Sequence, residues 1–213
     1  MDLNRFKELP LMGILRGVGK DEIEPVIEAC LSAGLKTLEV TMNTPAAPAL
    51  IKKCKEKAGG EMCVGAGTVL SRASMDAALE AGASFIVMPV YVEEVVKACA
   101  EKGVPVFPGA LTPSEVHAAW GGGASMVKVF PASVFGPSYF KVLKGPLDDV
   151  KLMAVGGVRL SNISEFFSSG ADAVAFGASV FKRDWIKKKD FASISSLVRD
   201  HVSEVKKAVG GKA

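Results

Sequence analysis

Short apolar runs rich in β-branched residues alternate with longer amphipathic stretches along nearly the whole chain. The apolar runs are LMGILRG from Leu11, TLEVT from Thr37, CVGAGTV from Cys63, FIVMPV from Phe85, VPVFPGAL from Val104, MVKVFP from Met126, LMAVGGV from Leu152 and AVAFGAS from Ala173. Runs of this length and make-up read as buried strands. The stretches between them, such as DEIEPVIEACLSAG and VEEVVKACAEKG, read as helices that open on acids or Ser/Thr and close on Gly. Both termini carry helical patterns too. Eight βα units with no linker or break in composition predict one closed (β/α)8 TIM barrel over residues 1–213, an α/β fold with an N-terminal helix. A doubly wound parallel sheet is the other arrangement this pattern allows.

Strand parity then sorts the side chains. In TLEVT, Leu38 and Val40 suit the helix layer, which turns Thr37, Glu39 and Thr41 into the barrel. In MVKVFP, Val127 and Val129 face outward, which turns Met126, Lys128 and Phe130 inward. A carboxylate and an ammonium are thus both expected inside. They could neutralise each other as a buried ion pair, although such a pair repays its desolvation poorly. Alternatively, apolar surroundings hold Lys128 neutral and nucleophilic, as Schiff-base chemistry requires, and Glu39 shuttles protons.

Two late strands end in small residues, Gly156 and Gly157 after the seventh and Gly177, Ala178 and Ser179 after the eighth, where bare amides and helix dipoles of barrels commonly receive phosphate. Taken singly, each glycine is more often a turn or close-packing residue; their paired location at successive strand ends favours phosphate. GAGTV, from Gly65 to Val69, is neither a dinucleotide fingerprint nor a Walker loop, and Thr68 reads as a hydroxyl near the barrel mouth. Arg16, ending the first strand, suits a planar anion or an exposed loop. His117 and His201 fall in helical stretches away from strand ends and are expected at the surface or between helices. The basic runs KKCKEK and WIKKKD read as solvated helix faces.

Composition narrows the partners. The 213 residues are 49% hydrophobic and 23% charged, and 26 basic against 23 acidic residues leave a net charge of +3. That balance argues against nucleic acid or an anionic membrane as partner, so any acidic ligand must be met locally. Cys30, Cys54, Cys63 and Cys99 are scattered without zinc-like spacing, and no metal site is expected. The N-terminus lacks a signal-like apolar core, and no apolar run approaches the roughly 20 residues of a spanning helix. These features predict a soluble, cytoplasmic protein with reduced thiols.

LEVT followed by NTP, then GAGTV, FIVMP, FPGALTPSE, KVFPAS with FGP, and AVGGV occur in an order and at intervals that resemble the class I 2-keto-3-deoxy-6-phosphogluconate (KDPG) / 4-hydroxy-2-oxoglutarate (KHG) aldolase family over almost the full chain. The wording of LPLMGILRG, MNTP and KVFPASVFGPSYFKVLKG is nearest to the branch acting on the 6-phosphogalactonate epimer (KDPGal). The resemblance implies a metal-independent, cofactor-free (β/α)8 barrel, commonly a homotrimer. Its implied reaction splits a phosphorylated 2-keto-3-deoxy sugar acid into pyruvate and glyceraldehyde 3-phosphate, with 4-hydroxy-2-oxoglutarate as a further substrate. It implies Lys128 as the Schiff-base lysine and Glu39 as the general acid/base. Thr68, Pro89 and Phe130 would line the pyruvate pocket, and Gly156, Gly157, Gly177 and Ser179 would hold the phosphate. Three positions depart from the gluconate branch: Asn43 stands where many members carry a carboxylate-binding Arg, leaving Arg16 to take the anion; Val155 replaces a Thr; and Ser133 replaces a Glu. A phosphosugar isomerase or epimerase on the same barrel, or a non-catalytic phosphosugar-binding barrel, are the competing readings.

Overall fold

The computed structural model describes residues 1–211. A short helix α1 (Leu3–Glu8) leads into β1 (Leu11–Leu15), and α2 (Ile23–Ser32), β2 (Thr37–Thr41), α3 (Ala47–Ala58) and β3 (Cys63–Gly67) follow. Next come α4 (Arg72–Glu80), β4 (Ile86–Val87), α5 (Glu93–Glu101), β5 (Val106–Phe107), β6 (Gly109–Ala110) and α6 (Pro113–Gly121). The chain finishes with β7 (Val127–Val129), α7 (Ser138–Lys144), β8 (Leu152–Val155), α8 (Ile163–Ser168), β9 (Ala173–Phe176), α9 (Arg183–Lys187) and α10 (Phe191–Gly210). Every strand pairing is parallel, and the strands run in the order β5-β4-β3-β2-β1-β9-β8-β7-β6.

This is a nearly closed barrel of nine parallel strands rather than the eight expected, because the apolar run from Val104 is broken at Pro108. Proline has no N–H to give to a ladder. Ahead of it, β5 pairs with β4; beyond it, β6 pairs with β7, and the Pro108 carbonyl accepts the Lys128 amide at 2.8 Å. The two ends of the strand order are therefore one residue apart in the chain. A side chain at Gly109 would collide with the Pro89 carbonyl oxygen, 2.1 Å from its Cβ position, so only glycine lets the kinked segment lie against the end of β4.

Helix punctuation follows the sequence. Thr112 and Ser71 cap α6 and α4 with reciprocal capping boxes, and Asp190 caps α10 through the Ser193 amide. Two cores result. One lies between sheet and helices and takes Leu38, Val40, Val127 and Val129, as parity demands. The other fills the barrel with Met12, Phe85, Phe107, Met126, Met153 and Val155. Phe6 from α1 joins this inner cluster, its ring 6.1 Å from that of Phe107, which in turn meets Phe85 edge-on at 5.8 Å. The N-terminal helix thereby plugs the end of the barrel where the strands begin. Phe6→Ala is expected to cost about 3 kcal/mol by opening a cavity there, read as a lower urea midpoint with an unchanged slope; a loss below about 1 kcal/mol would mean that the barrel closes without this plug.

Candidate active site

The opposite end of the barrel, where the strands finish, carries the candidate chemistry. Glu39 sits in mid-β2, is 1% exposed, and projects inward as its parity requires. Room for it comes from β3, whose sequence CVGAG places glycines on the inner face. A Cβ at Gly67 would lie 2.2 Å from Glu39 Oε1, and one at Gly65 would lie 2.4 Å from the Phe85 ring. GAG is therefore a spacing device: without side chains there, the carboxyl and the aromatic ring can both occupy the barrel. Lys128, in mid-β7 and 5% exposed, lies beneath Phe130, with Nζ 5.1 Å from the ring centre.

The two charged groups do not meet as an ion pair. Among the described residues neither oxygen of Glu39 has a hydrogen-bonding partner, and the ammonium makes no ion pair within 4 Å. Burial holds the Lys128 pKa below that of an ordinary lysine; Glu39 opposes this shift and the Arg16 guanidinium adds to it. Burial likewise lifts the Glu39 pKa above the usual carboxylate range against the attraction of Lys128 and Arg16. Each group is thus drawn toward its neutral form, a free amine and a carboxylic acid.

Nine of the ten predicted site residues line one cavity of about 550 Å³: Arg16, Thr68, Pro89, Lys128, Phe130, Gly156, Gly157, Gly177 and Ser179. Glu39, the tenth, is buried inside the barrel and does not line the cavity. Thr68 follows β3 with φ +55°, a strained setting for a β-branched residue, and its hydroxyl accepts from Arg16 Nη2 at 3.4 Å. Gly156 and Gly157 have φ +86° and +83° and pack against the Phe130 ring and Ser133. The Ser179 hydroxyl turns toward the Val158 carbonyl at 3.4 Å. Asn43 and Val155, two of the three departures from the gluconate pattern, also face the cavity.

Sequence reasoning passed over Arg159, which lines the same cavity, and Phe176, which forms part of its wall. A loop position one residue beyond AVGGV was the available signal for Arg159. His117 is exposed on α6. His201 is 2% exposed, its Nδ1 2.7 Å from the Leu197 carbonyl and its ring 5.0 Å from that of Phe176, so it packs between α10 and β9. All four cysteines are free, and burial pushes the Cys54 thiol up to about 12 and Cys99 to about 11. Among the described residues no group of three or more His, Cys, Asp or Glu side chains is placed to hold a metal, and no helix is long and apolar enough to cross a membrane.

A parallel barrel whose strand ends hold a desolvated amine and a desolvated carboxyl beside a cation-lined cavity defines a class of protein suited to carbonyl chemistry. The chain belongs to the KDPG and KHG aldolase family, whose model matches residues 3–197. It is 35% identical to the 2-dehydro-3-deoxy-6-phosphogalactonate aldolase of Escherichia coli strain K12 over 82% of this chain and 86% of that one. The native KDPGal structure superimposes with a TM-score of 0.88 at 32% identity, covering 95% of this chain and 97% of the other. KDPG aldolase from Legionella pneumophila, with pyruvate captured at low pH as a covalent carbinolamine intermediate, matches with a TM-score of 0.84 at 26% identity over 91% and 94% of the two chains.

The raised pKa of Glu39 sets a sign for stability. The folded state holds a proton on this group in a window that begins near the ordinary carboxylate value and extends upward, where the unfolded chain has already released it. Stability from this group is therefore fully present below that window and falls as pH rises through it, by at most about 1.4 kcal/mol per pH unit. Glu39→Gln removes the titration, so unfolding free energies of the two proteins are expected to diverge in favour of the variant as pH rises above the ordinary carboxylate value. A constant difference across that rise would contradict the burial argument.

Proposed function

We propose that the chain is a class I aldolase that cleaves a 2-keto-3-deoxy-6-phospho sugar acid, preferring the galactonate epimer, to pyruvate and glyceraldehyde 3-phosphate. The observation that carries this reading is the separation of Lys128 and Glu39: both are buried at the cavity, drawn toward neutrality, and not consumed by an ion pair. The neutral amine adds to the C2 ketone, and the carbinolamine loses water to give an iminium. Removal of the C4 hydroxyl proton breaks the C3–C4 bond, whose electrons pass through C3–C2 to the iminium nitrogen. The aldehyde leaves, the enamine takes a proton at C3, and water releases pyruvate and regenerates the amine. Glu39 moves the protons in these steps.

The iminium is the electron sink, so the scheme requires neither metal nor cofactor. Arg16, coupled electrostatically to both Lys128 and Glu39 and hydrogen-bonded to Thr68, takes the substrate carboxylate in place of the Arg that Asn43 displaces. Thr68, Pro89 and Phe130 enclose the pyruvyl part, and Gly156, Gly157, Gly177 and Ser179 receive the phosphate. Val155, where many gluconate enzymes have Thr, presents an apolar wall to the sugar hydroxyls and supports the galactonate preference. Unphosphorylated 4-hydroxy-2-oxoglutarate is a slower substrate. An isomerase or epimerase reading is not favoured, since the relatives named above are aldolases.

The barrel is counted as (β/α)8, with β5 and β6 as one strand interrupted at Pro108, and residues 1–213 as one domain. It works in the cytoplasm as a homotrimer. The exposed Leu70, Val90, Val134 and Phe135, each more than half exposed on loops at the cavity end, support self-association.

Two measurements test the reading. Borohydride in the presence of pyruvate should leave a reduced adduct that mass spectrometry places on Lys128; an adduct elsewhere, or none, removes the mechanism. Steady-state kinetics should give a higher kcat/KM for the galactonate-derived phosphate than for the gluconate epimer. A preference of more than about tenfold in the opposite sense, about 1.4 kcal/mol of transition-state free energy, would reassign the substrate.

A further inference from the structure

Arg159 has no part in the reaction scheme above, yet three observations place it at the phosphate end of the cavity. First, it lies two residues beyond the Gly156-Gly157 pair on the loop after β8, and that loop is fixed by one side chain. Asn162 donates from Nδ2 to the Gly157 carbonyl at 3.0 Å and accepts the Arg159 amide on Oδ1 at 2.8 Å. Arg159 itself is extended, with φ −141° and ψ 160°. Its backbone is therefore held in register with the two glycines, whose positive φ values turn the loop.

Secondly, Arg159 is exposed at the cavity and makes no ion pair, and among the described residues none of those lining the cavity is acidic. Arg183, by contrast, is neutralised by Glu22 at 2.8 Å. A guanidinium left without a carboxylate beside a concave, cation-lined space is available to an anionic ligand.

Thirdly, the strand order separates the two arginines. β9, with Gly177 and Ser179 beyond it, lies between β1, which carries Arg16, and β8, which carries Arg159. Arg16 acts electrostatically on Lys128 and Glu39, whereas Arg159 contributes to neither. The C1 carboxylate of a 2-keto acid is bonded to the carbon that Lys128 attacks, and the phosphate is at the far end of the carbon chain. Arg16 is thus matched to the carboxylate, and Arg159 to the other terminus.

We infer that Arg159 is a specificity-determining residue that binds the terminal phosphate through its guanidinium, adding a charged, bidentate contact to the neutral glycine and serine cradle and so favouring phosphorylated over unphosphorylated keto acids. This inference rests on the aldolase reading. The fork of an Arg matches two phosphate oxygens, which a point charge does not. Asn162 is the positioning residue for it.

The test compares the parent with Arg159→Met and Arg159→Lys. For Arg159→Met, the ratio of kcat/KM on the phosphorylated acid to that on 4-hydroxy-2-oxoglutarate should fall about tenfold to a hundredfold. The loss should appear in KM more than in kcat, and Arg159→Lys should recover part of it. In calorimetric titration, inorganic phosphate should bind Arg159→Met at least about tenfold more weakly than the parent. A ratio unchanged within about threefold, or equal phosphate affinity in parent and variant, overturns the assignment. The two readings fail separately. If borohydride traps no pyruvate on Lys128 of the parent, the aldolase reading falls, and the phosphate titration alone still decides whether Arg159 binds phosphate.

Discussion

A lysine and a glutamate are kept within one barrel, out of water and without a contact ion pair, and most of the sequence around the site is arranged to satisfy that constraint. A contact ion pair would be the simplest fate for Glu39 and Lys128 and would leave Lys128 protonated. Placing them on β2 and β7, with β1, β9 and β8 between them in the strand order, avoids it. Burial then acts on each group singly, lowering the lysine pKa and raising that of the carboxyl. The fold bears the desolvation cost of both groups, and of the two unpartnered Glu39 oxygens in particular, and the deep apolar packing of the rest of the barrel offsets it. Unfavourable local energetics of this kind persist only where the surrounding structure over-determines them.

Glycine is the means by which β3 and the loop after β8 accommodate these groups. Gly65 and Gly67 subtract side chains from the inner face of β3, so that Phe85 fills the lower barrel and Glu39 the upper. Above them Gly156 and Gly157 let the loop pass close to Phe130 and Ser133. The same ring that stands over Lys128 is thus braced from the β8 side, which couples the shape of the amine's surroundings to the loop after β8. Ser133 sets its short side chain against Gly157 and brings no negative charge to that end of the cavity.

Much of this was legible in the sequence because strands have a period of two. Once Leu38, Val40, Val127 and Val129 are assigned outward, Glu39 and Lys128 have nowhere to point but inward, and the structure agrees. The small-residue endings of AVGGV and AFGAS likewise gave the positions of the cavity's glycine-rich side. What parity could not give was anything set by contacts between distant segments. Pro108 in VPVFPGAL marks a weak point in a strand, but that the break brings Gly109 against Pro89 and divides the pairing between β4 and β7 depends on strands far apart in the chain. Arg159 carries no local signal of its setting, since nothing in the adjacent sequence says whether an acid lies beside it. His201 has the helical spacing of a core position, yet its contact with Phe176 is a property of how α10 docks on β9.

The near balance of charge across the whole chain takes on a different meaning beside the local distribution. A net charge of +3 creates little long-range pull on an acidic ligand. The cavity nevertheless gathers Arg16, Lys128 and Arg159, while the carboxyl of Glu39 is buried in the barrel off the cavity lining and shifted toward its neutral form. Of the three cations, Lys128 is drawn toward losing its charge, and its reaction requires that loss. In the proposed scheme the electrostatic attraction for a substrate with an anionic group at each end therefore falls to the two arginines, neither of which can be titrated away. Binding and nucleophilicity would compete if a single ammonium had to supply both. Dividing them between residues that stay charged and a lysine that gives up its charge removes the conflict.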